Sequence, residues 1–418
     1  MCFRTLIVLL YLQLSCSYIN NHVFMSNSVS KMSRMATTAM PPADLTPAVD
    51  KYDRLPINEL HYTNDNISDN KNEILPIITA KGPPPKGPDP FKLVEKELQP
   101  LSEYVKTLVA SENPVLTMAA SHFFEKRQGK RFRPTIVALI GRAIGSLNID
   151  SNANPNTNIT PRQLQLGQIT EMIHVASLIH DDVLDEADMR RGGQAVHTMY
   201  TNKVAVLAGD YLLARASVLL ARLQHLQVVE VMASALDSLV QGEIMQARSN
   251  KKDLMDMNYY LRKSYFKTAS LICNSCKSTA LIAGYDETDE MTINAEKFGY
   301  HLGMAYQIID DILDFTGASA SLGKPAQADM ELGLATAPIL FAAEVNSELR
   351  PLIERRFKND GDIQTAVALA TKTDCVARSY VLAEFHAQKG VEALMKFPES
   401  ESRSALLILM HMVLSRKS

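Results

Sequence analysis

The chain has 418 residues, 46% of them hydrophobic and 21% charged, with a formal net charge of -3. That supplies apolar material for a substantial core in one large domain or two, and it excludes global disorder. The near-neutral charge balance excludes a general attraction to nucleic acid or to anionic membranes, so any basic site has to be local.

The first ninety residues differ from the remainder. "LIVLLYLQL" (Leu6 to Leu14) is too short to span a bilayer but has the length of a signal-type apolar region, and no acid precedes Asp44. Ser15 to Thr38 is rich in Ser, Asn and Thr with Lys31 and Arg34, a transit-like composition, and "KGPPPKGPDP" (Lys81 to Pro90) reads as a stiff linker. Residues 1–90 are therefore expected to be a disordered targeting leader and Pro-rich linker outside the fold, and 91–418 a single domain.

From Phe91 onward apolar residues recur three and four apart, as in "TIVALIGRAIG", "QLGQITEMIHVASLIH", "AVLAGDYLLARASVLLARL" and "EVMASALDSLVQGEIMQA". Alternating strand-like runs, a phosphate-binding glycine loop after a strand, and solenoid-length repeats are missing, so the predicted fold is all-α. "GSLNIDSNANPNTNITPRQ" (Gly145 to Gln163) marks a long exposed loop. Of five cysteines, Cys273 and Cys276 form a CxxC with no second pair inside a helical pattern, which predicts two small buried thiols, not a disulfide framework or a zinc site.

Two acidic clusters carry the chemistry. "HDDVLD" contains Asp181, Asp182 and Asp185, and "YQIIDDILDFTG" contains Asp310, Asp311 and Asp314, each a DDxxD after an apolar helical run. Acids are unfavourable at the negative end of a helix dipole unless cations compensate them, so the pair predicts bound metal. Carboxylate oxygens without Cys or clustered His favour a hard ion that keeps some water, typically Mg²⁺ bridging to substrate phosphates. Basic residues that could meet those phosphates stand in four places: Lys130, Arg131 and Arg133 in "GKRFRP", Arg190 and Arg191 in "MRRG", Lys267 beside Thr268 in "YFKTAS", and Lys324 in "LGKP". A di-iron bundle would need two ExxH motifs, and only Glu171 to His174 supplies one, so His174 is better used as a diphosphate contact.

These motifs, in this order, resemble the trans-type isoprenyl diphosphate synthases, from about Phe91 to the C-terminus. The stretch "LGKPAQADMELGLATAPILFA" resembles most the long-chain branch that makes ubiquinone side chains, with Gln327 a departure where a small residue is usual. The resemblance implies one helical bundle around a central apolar cavity, and a head-to-tail condensation of isopentenyl diphosphate onto an allylic diphosphate. It implies about three Mg²⁺ ions, with Mn²⁺ as a substitute, held by Asp181, Asp185, Asp310 and Asp314. Asp182, Asp311 and Lys267 join the catalytic set. Lys130, Arg133, His174 and Arg191 would hold isopentenyl diphosphate; Arg190, Lys267, Thr268, Gln307 and Lys324 would hold the allylic diphosphate. Product length would be set by Ala176 and Ser177, small residues upstream of the first DDxxD, which leave the pocket floor open for about nine or ten isoprene units; a helical wheel puts Ser177 on the metal face and Ala176 off it. A shorter-chain synthase and a structural or regulatory subunit of a heteromeric synthase are the alternatives; a terpene cyclase would lack the second complete DDxxD. The expected partners are the two substrates and a second subunit, identical or related, with no nucleic acid and with peripheral membrane contact through a lipid product. The resemblance also favours the mitochondrion, with a plastid as the alternative.

Overall fold

The computed structural model describes residues 76–99, 112, 114–125, 131–145, 159–190, 193–317 and 327–417. Its principal helices are α1 (Pro114–Glu125), α2 (Phe132–Ile144), α3 (Pro161–Leu184), α4 (Asn202–Arg222), α5 (Leu226–Arg248), α6 (Met257–Ser264), α7 (Ser270–Ile282), α8 (Glu290–Thr316), α9 (Ala337–Val345), α10 (Cys375–Leu394) and α11 (Glu401–Ser415). Among the described residues the only strands are a two-residue ribbon, β1 (Met189–Arg190) against β2 (Gly193–Gln194). The fold is all-α, as the apolar periodicity predicts.

Helix α7 is the spine of the bundle. Every residue from Ser270 to Ile282 is buried, because α2, α3, α5 and α8 all pack on it. Three of its hydroxyls avoid an unsatisfied burial by bonding one turn back, Ser270 to the Phe266 carbonyl at 2.9 Å, Ser275 to the Leu271 carbonyl at 2.6 Å and Thr279 to the Ser275 carbonyl at 2.7 Å, while the buried Ser278 hydroxyl is the exception. Cys273 and Cys276 are free and buried here, and burial pushes the Cys276 thiol up. They are the packing thiols that the lone CxxC predicts.

The two acidic motifs end the two helices that flank this spine, α3 on one side and α8 on the other. Helix α3 begins with a capping box: the Gln163 N–H donates to Thr160 Oγ1 at 3.2 Å and the Thr160 N–H donates to Gln163 Oε1 at 2.9 Å, with Pro161 at the first helical position. It therefore starts inside the stretch expected to be loop; 146–158 lie outside the described residues. Helix α4 packs along α3. Its length and apolarity would suffice for a membrane crossing, with mean hydropathy 1.7 over 18 residues, but the side against α3 is buried while Val206, Leu207 and Val218 are exposed.

One expectation needs correction. The Pro-rich stretch before Phe91 is not outside the fold over its described part. Ile78 is only 3% exposed, the Ala80 N–H donates to Glu384 Oε1 at 2.8 Å, and His411 Nε2 donates to the Gly82 carbonyl at 3.0 Å. A turn at 79–82 of this strap, closed by the Gly82 N–H donating to the Thr79 carbonyl at 3.2 Å, presents these groups to α10 and α11, and the prolines that follow cannot extend it into a helix.

The largest helix contact, α8 with α10, encloses a polar pair. His301 and His386 are buried, with Nδ1 to Nδ1 at 3.1 Å, so one ring donates and the other accepts. Burial holds His386 down to about 3, and burial, reinforced by the charge of its partner, holds His301 well below the ordinary imidazole range. Because the folded values lie below the unfolded one, this pair contributes stability above about pH 6.5 that is lost as pH falls toward the folded values. The protein should lose about 2 kcal/mol of unfolding free energy between pH 7.5 and 5 through His386 alone. Urea unfolding at both pH values should show a shallower pH dependence in His386→Gln, which keeps a hydrogen-bonding group there without a titrating one.

Candidate active site

Asp181 sits in the last turn of α3, and Asp185 caps the helix, its N–H donating to the Asp181 carbonyl at 2.8 Å. No basic residue lies in that last turn, so compensation has to come from elsewhere in the chain. The β1–β2 ribbon turns the chain back and supplies Arg190, whose Nε donates to Asp182 Oδ1 at 2.5 Å while Asp182 is 1% exposed. Asp182 is thus a buried partner of Arg190 and holds the ribbon to the helix end. Burial raises its carboxyl, and the Arg190 guanidinium opposes that rise.

Lys267 and Thr268 come from a π-helical segment, Tyr265–Ala269, that joins α6 to α7. The extra residue of a π turn redirects side chains and is often found at functional sites. This one is clamped on two sides: a Cβ on Gly242 of α5 would fall 2.8 Å from the Lys267 nitrogen, and one on Gly303 of α8 would fall 2.6 Å from Ala269 Cα. Lys267 Nζ lies 2.8 Å from Glu243 Oε1 and donates to Gln246 Oε1 at 3.3 Å. Burial alone would lower its ammonium, but the Asp181 and Glu243 carboxylates outweigh that and hold it above its ordinary value. Asp181 is pushed up to about 7, first by burial; Lys267 opposes the rise, and Glu243 and Asp185 add to it.

Six residues singled out from the sequence, Arg133, His174, Ser177, Asp181, Lys267 and Thr268, line one cleft, with Leu239 and Leu271 on its apolar wall. Arg133 comes from the first turn of α2, and the Ser177 hydroxyl is tied back to the His174 carbonyl at 2.9 Å. Ala176 is fully buried and does not line the cleft, in keeping with its place off the metal face of α3. Lys130, Arg191 and Lys324 lie outside the described residues.

In the second motif the three acids have separate surroundings. Asp311 is buried and accepts from Tyr260 Oη at 2.5 Å and from Gln307 Nε2 at 2.7 Å; Thr268 Oγ1 in turn donates to Gln307 Oε1 at 2.5 Å. This chain of hydrogen bonds links the Lys267–Thr268 turn to the second DDxxD. Burial holds the Asp311 carboxyl well above the usual carboxylate range, with Asp329 adding to the rise. Asp310 faces outward at 53% exposure and accepts from Arg416 Nη2 at 2.7 Å, while the same guanidinium stacks 4.2 Å from the Tyr306 ring centroid. Asp314 accepts from the backbone N–H groups of Ala328 and Asp329 at 3.1 and 3.2 Å, which anchors the segment after the motif. Gln327 takes a left-handed conformation there, φ 61°, a region that favours glycine, and its side chain donates to the Phe315 carbonyl at 3.5 Å.

Residues 113–370 match the family described as polyprenyl synthetase, a span that contains both acidic motifs and the whole cleft. The chain belongs to that family. Over 345 residues it is 42% identical to the mitochondrial solanesyl-diphosphate synthase 1 of Oryza sativa subsp. japonica, a match covering 78% of this chain and 79% of that protein. It is 39% identical over 371 residues to a decaprenyl-diphosphate synthase of Dictyostelium discoideum, covering 84% and 78%. Among solved structures it resembles a polyprenyl synthase from Caulobacter crescentus CB15 complexed with calcium and isoprenyl diphosphate, with TM-score 0.71, 29% identity, and 80% and 100% of the two chains covered.

The donor set fits the divalent cations that the family uses. It consists of carboxylate oxygens, and Asp181 is raised by burial and neighbouring acids, a strain that a cation would relieve. Among the described residues no three His, Cys, Asp or Glu side chains converge as a ready-made cage, as expected where substrate phosphates complete the coordination of a hard ion. Glu243, Gln246, Tyr260 and Arg416 are site residues that motif spacing did not reveal. Tyr260→Phe should remove one of the two donors to the buried Asp311 and cost about 1–3 kcal/mol of stability by urea unfolding.

Proposed function

We propose that the chain is a self-sufficient, divalent-cation-dependent transferase that condenses isopentenyl diphosphate head-to-tail onto an allylic diphosphate, giving a long-chain all-trans polyprenyl diphosphate for quinone side chains. The observation that carries this reading is the shared cleft, in which basic groups from α2, α3 and the π turn face the first acidic motif across an apolar wall. Asp181 and Asp185 on one side, and Asp310 with Asp314 on the other, would hold Mg²⁺. When bound, the ion neutralises charge on the departing pyrophosphate.

The chain's own residues do the rest. Arg133 and His174 line the cleft as donors for isopentenyl diphosphate, with Lys130 and Arg191 assigned to the same ligand from the sequence motifs. Lys267 keeps its ammonium because Glu243 and Asp181 flank it, so it is charged when an allylic diphosphate arrives and can stabilise the leaving group. Leu239 and Leu271 keep water from the allylic carbocation. The double bond of isopentenyl diphosphate attacks that cation, and the released pyrophosphate takes the proton lost from the adduct, so no protein nucleophile is needed.

Ser177, four residues before Asp181 and small, supports a long product, and long-chain synthases among the relatives point the same way. The exposed Val206, Leu207 and Val218 of α4 support association with a second subunit, identical or related. The apolar start and acid-free leader, with mitochondrial relatives, support delivery to the mitochondrion. The leader is assigned to the acid-free stretch before Asp44, and the catalytic domain to the chain from Ile78 onward.

The test is incorporation of labelled isopentenyl diphosphate onto farnesyl diphosphate by the full chain with Mg²⁺, resolving products by length. Products of about nine or ten isoprene units are expected, with turnover falling about a hundredfold or more in Asp181→Ala. Ser177→Phe should shorten the product while incorporation continues. No incorporation by the folded chain alone would overturn self-sufficiency and point to a required subunit.

A further inference from the structure

The residue before the first DDxxD has no part in the cleft; its ring packs instead against α4, with the side chain 17% exposed. His180 Nε2 donates to the Val206 carbonyl of α4 at 3.1 Å, which fixes the tautomer with the proton on that nitrogen. The same nitrogen lies 3.7 Å from Asp210 Oδ1. Between these two α4 residues lies Gly209, and the imidazole occupies the space that any larger residue would fill. A Cβ on Gly209 would stand 2.1 Å from Nε2, 2.5 Å from Cδ2 and 2.8 Å from Cε1. Three ring atoms within contact of one missing methyl describe a ring seated flat in a notch of α4.

This notch lies at the point where α3 is about to end. Asp181 follows His180 directly, and Asp185 terminates the helix four residues later. A terminal turn frays unless something holds it. Here the acids repel one another, and Arg190 is bonded directly to Asp182. We infer that His180 is a positioning residue for the first acidic motif, its ring locked into the Gly209 notch of α4 so that Asp181 and Asp185 are presented to cation and diphosphate in a fixed place. The inference rests on the proposed role of Asp181 in binding cation and diphosphate. It adds that the matching partner of the "HDD" sequence is the glycine of "AGDYLL", on a different helix.

The experiment uses full-length chains carrying His180→Ala, Gly209→Ala, both together, and His180→Gln. Each is read by thermal unfolding and by Mn²⁺ binding in the presence of an unreactive allylic thiodiphosphate, counting free Mn²⁺ by electron paramagnetic resonance. His180→Ala should weaken Mn²⁺ binding by about tenfold or more, the range for losing a residue that orients a ligand. Gly209→Ala should do the same by expelling the ring. The double variant should be no worse than His180→Ala, since the added methyl fills the vacated notch, and that non-additivity marks a direct contact. His180→Gln, able to donate to the Val206 carbonyl, should recover part of the binding, and it serves as the test if His180→Ala does not fold. Additive losses, a harmless Gly209→Ala, or lowered melting temperatures with unchanged Mn²⁺ binding would overturn the positioning role. Absence of Mn²⁺ binding by the unsubstituted chain would overturn the reading of Asp181 instead, and the melting temperatures would still test the contact between His180 and Gly209.

Discussion

Like charges repel, and the protein gathers six motif carboxylates at the C-terminal ends of two helices, the ends where the backbone dipole is already negative. Each acid that can be traced has its own compensation. Asp182 has the Arg190 guanidinium, Asp181 the nearby Lys267 ammonium, Asp310 the Arg416 guanidinium, Asp311 the Tyr260 and Gln307 donors, and Asp314 two backbone N–H groups. This divides labour within each motif. The second Asp of both, Asp182 and Asp311, is buried and holds structure together. The first, Asp181 and Asp310, is less enclosed, where a cation could reach it.

The compensating groups come from widely separated parts of the chain, and α7 is what lets them meet. A helix buried on all sides can touch α2, α3, α5 and α8 at once, so the turn leading into it faces both acidic helices. Burying such a helix favours satisfying its polar side chains locally, and the Ser270, Ser275 and Thr279 hydroxyls each bond one turn back. The cleft is in this sense a by-product of the spine: Lys267 and Thr268 are the last polar positions before the chain becomes wholly enclosed.

Much of this was legible in the sequence, and for a physical reason. Helical periodicity and repeated acidic spacing are local signals, so the all-α fold, both DDxxD motifs, Lys267 and the buried cysteines could be read from neighbours in the chain. The groups that answer the acids could not. Tyr260 and Arg416 are single residues whose acidic partners lie 51 and 106 positions away, Glu243 meets Lys267 across 24, and no spacing encodes such a contact. Arg190 was legible as a cation but not as the partner of Asp182, because the short ribbon that returns it has no strand pattern. The strap from Ile78 to Gly87 misled for the opposite reason: proline-rich composition disfavours a helix there, and says nothing about what that chain lies against.

The π turn at Tyr265–Ala269 carries one more implication. A π turn contains one residue more than the α-turn it replaces, so it advances the phase of everything beyond it by roughly 100°. Tyr260 before it and the enclosed face of α7 after it are therefore set by a count of residues, and a scan for regular periodicity reads straight through the step. Surface loops tolerate gained or lost residues because nothing downstream has to stay in phase. Here a single deletion would turn α7 by that angle relative to α6 and move Lys267 off the cleft while leaving composition and hydropathy unchanged. Within this bundle the least permissive place for an insertion or deletion is thus the middle of an apparently uniform helix, where Gly242 and Gly303 mark the step from outside.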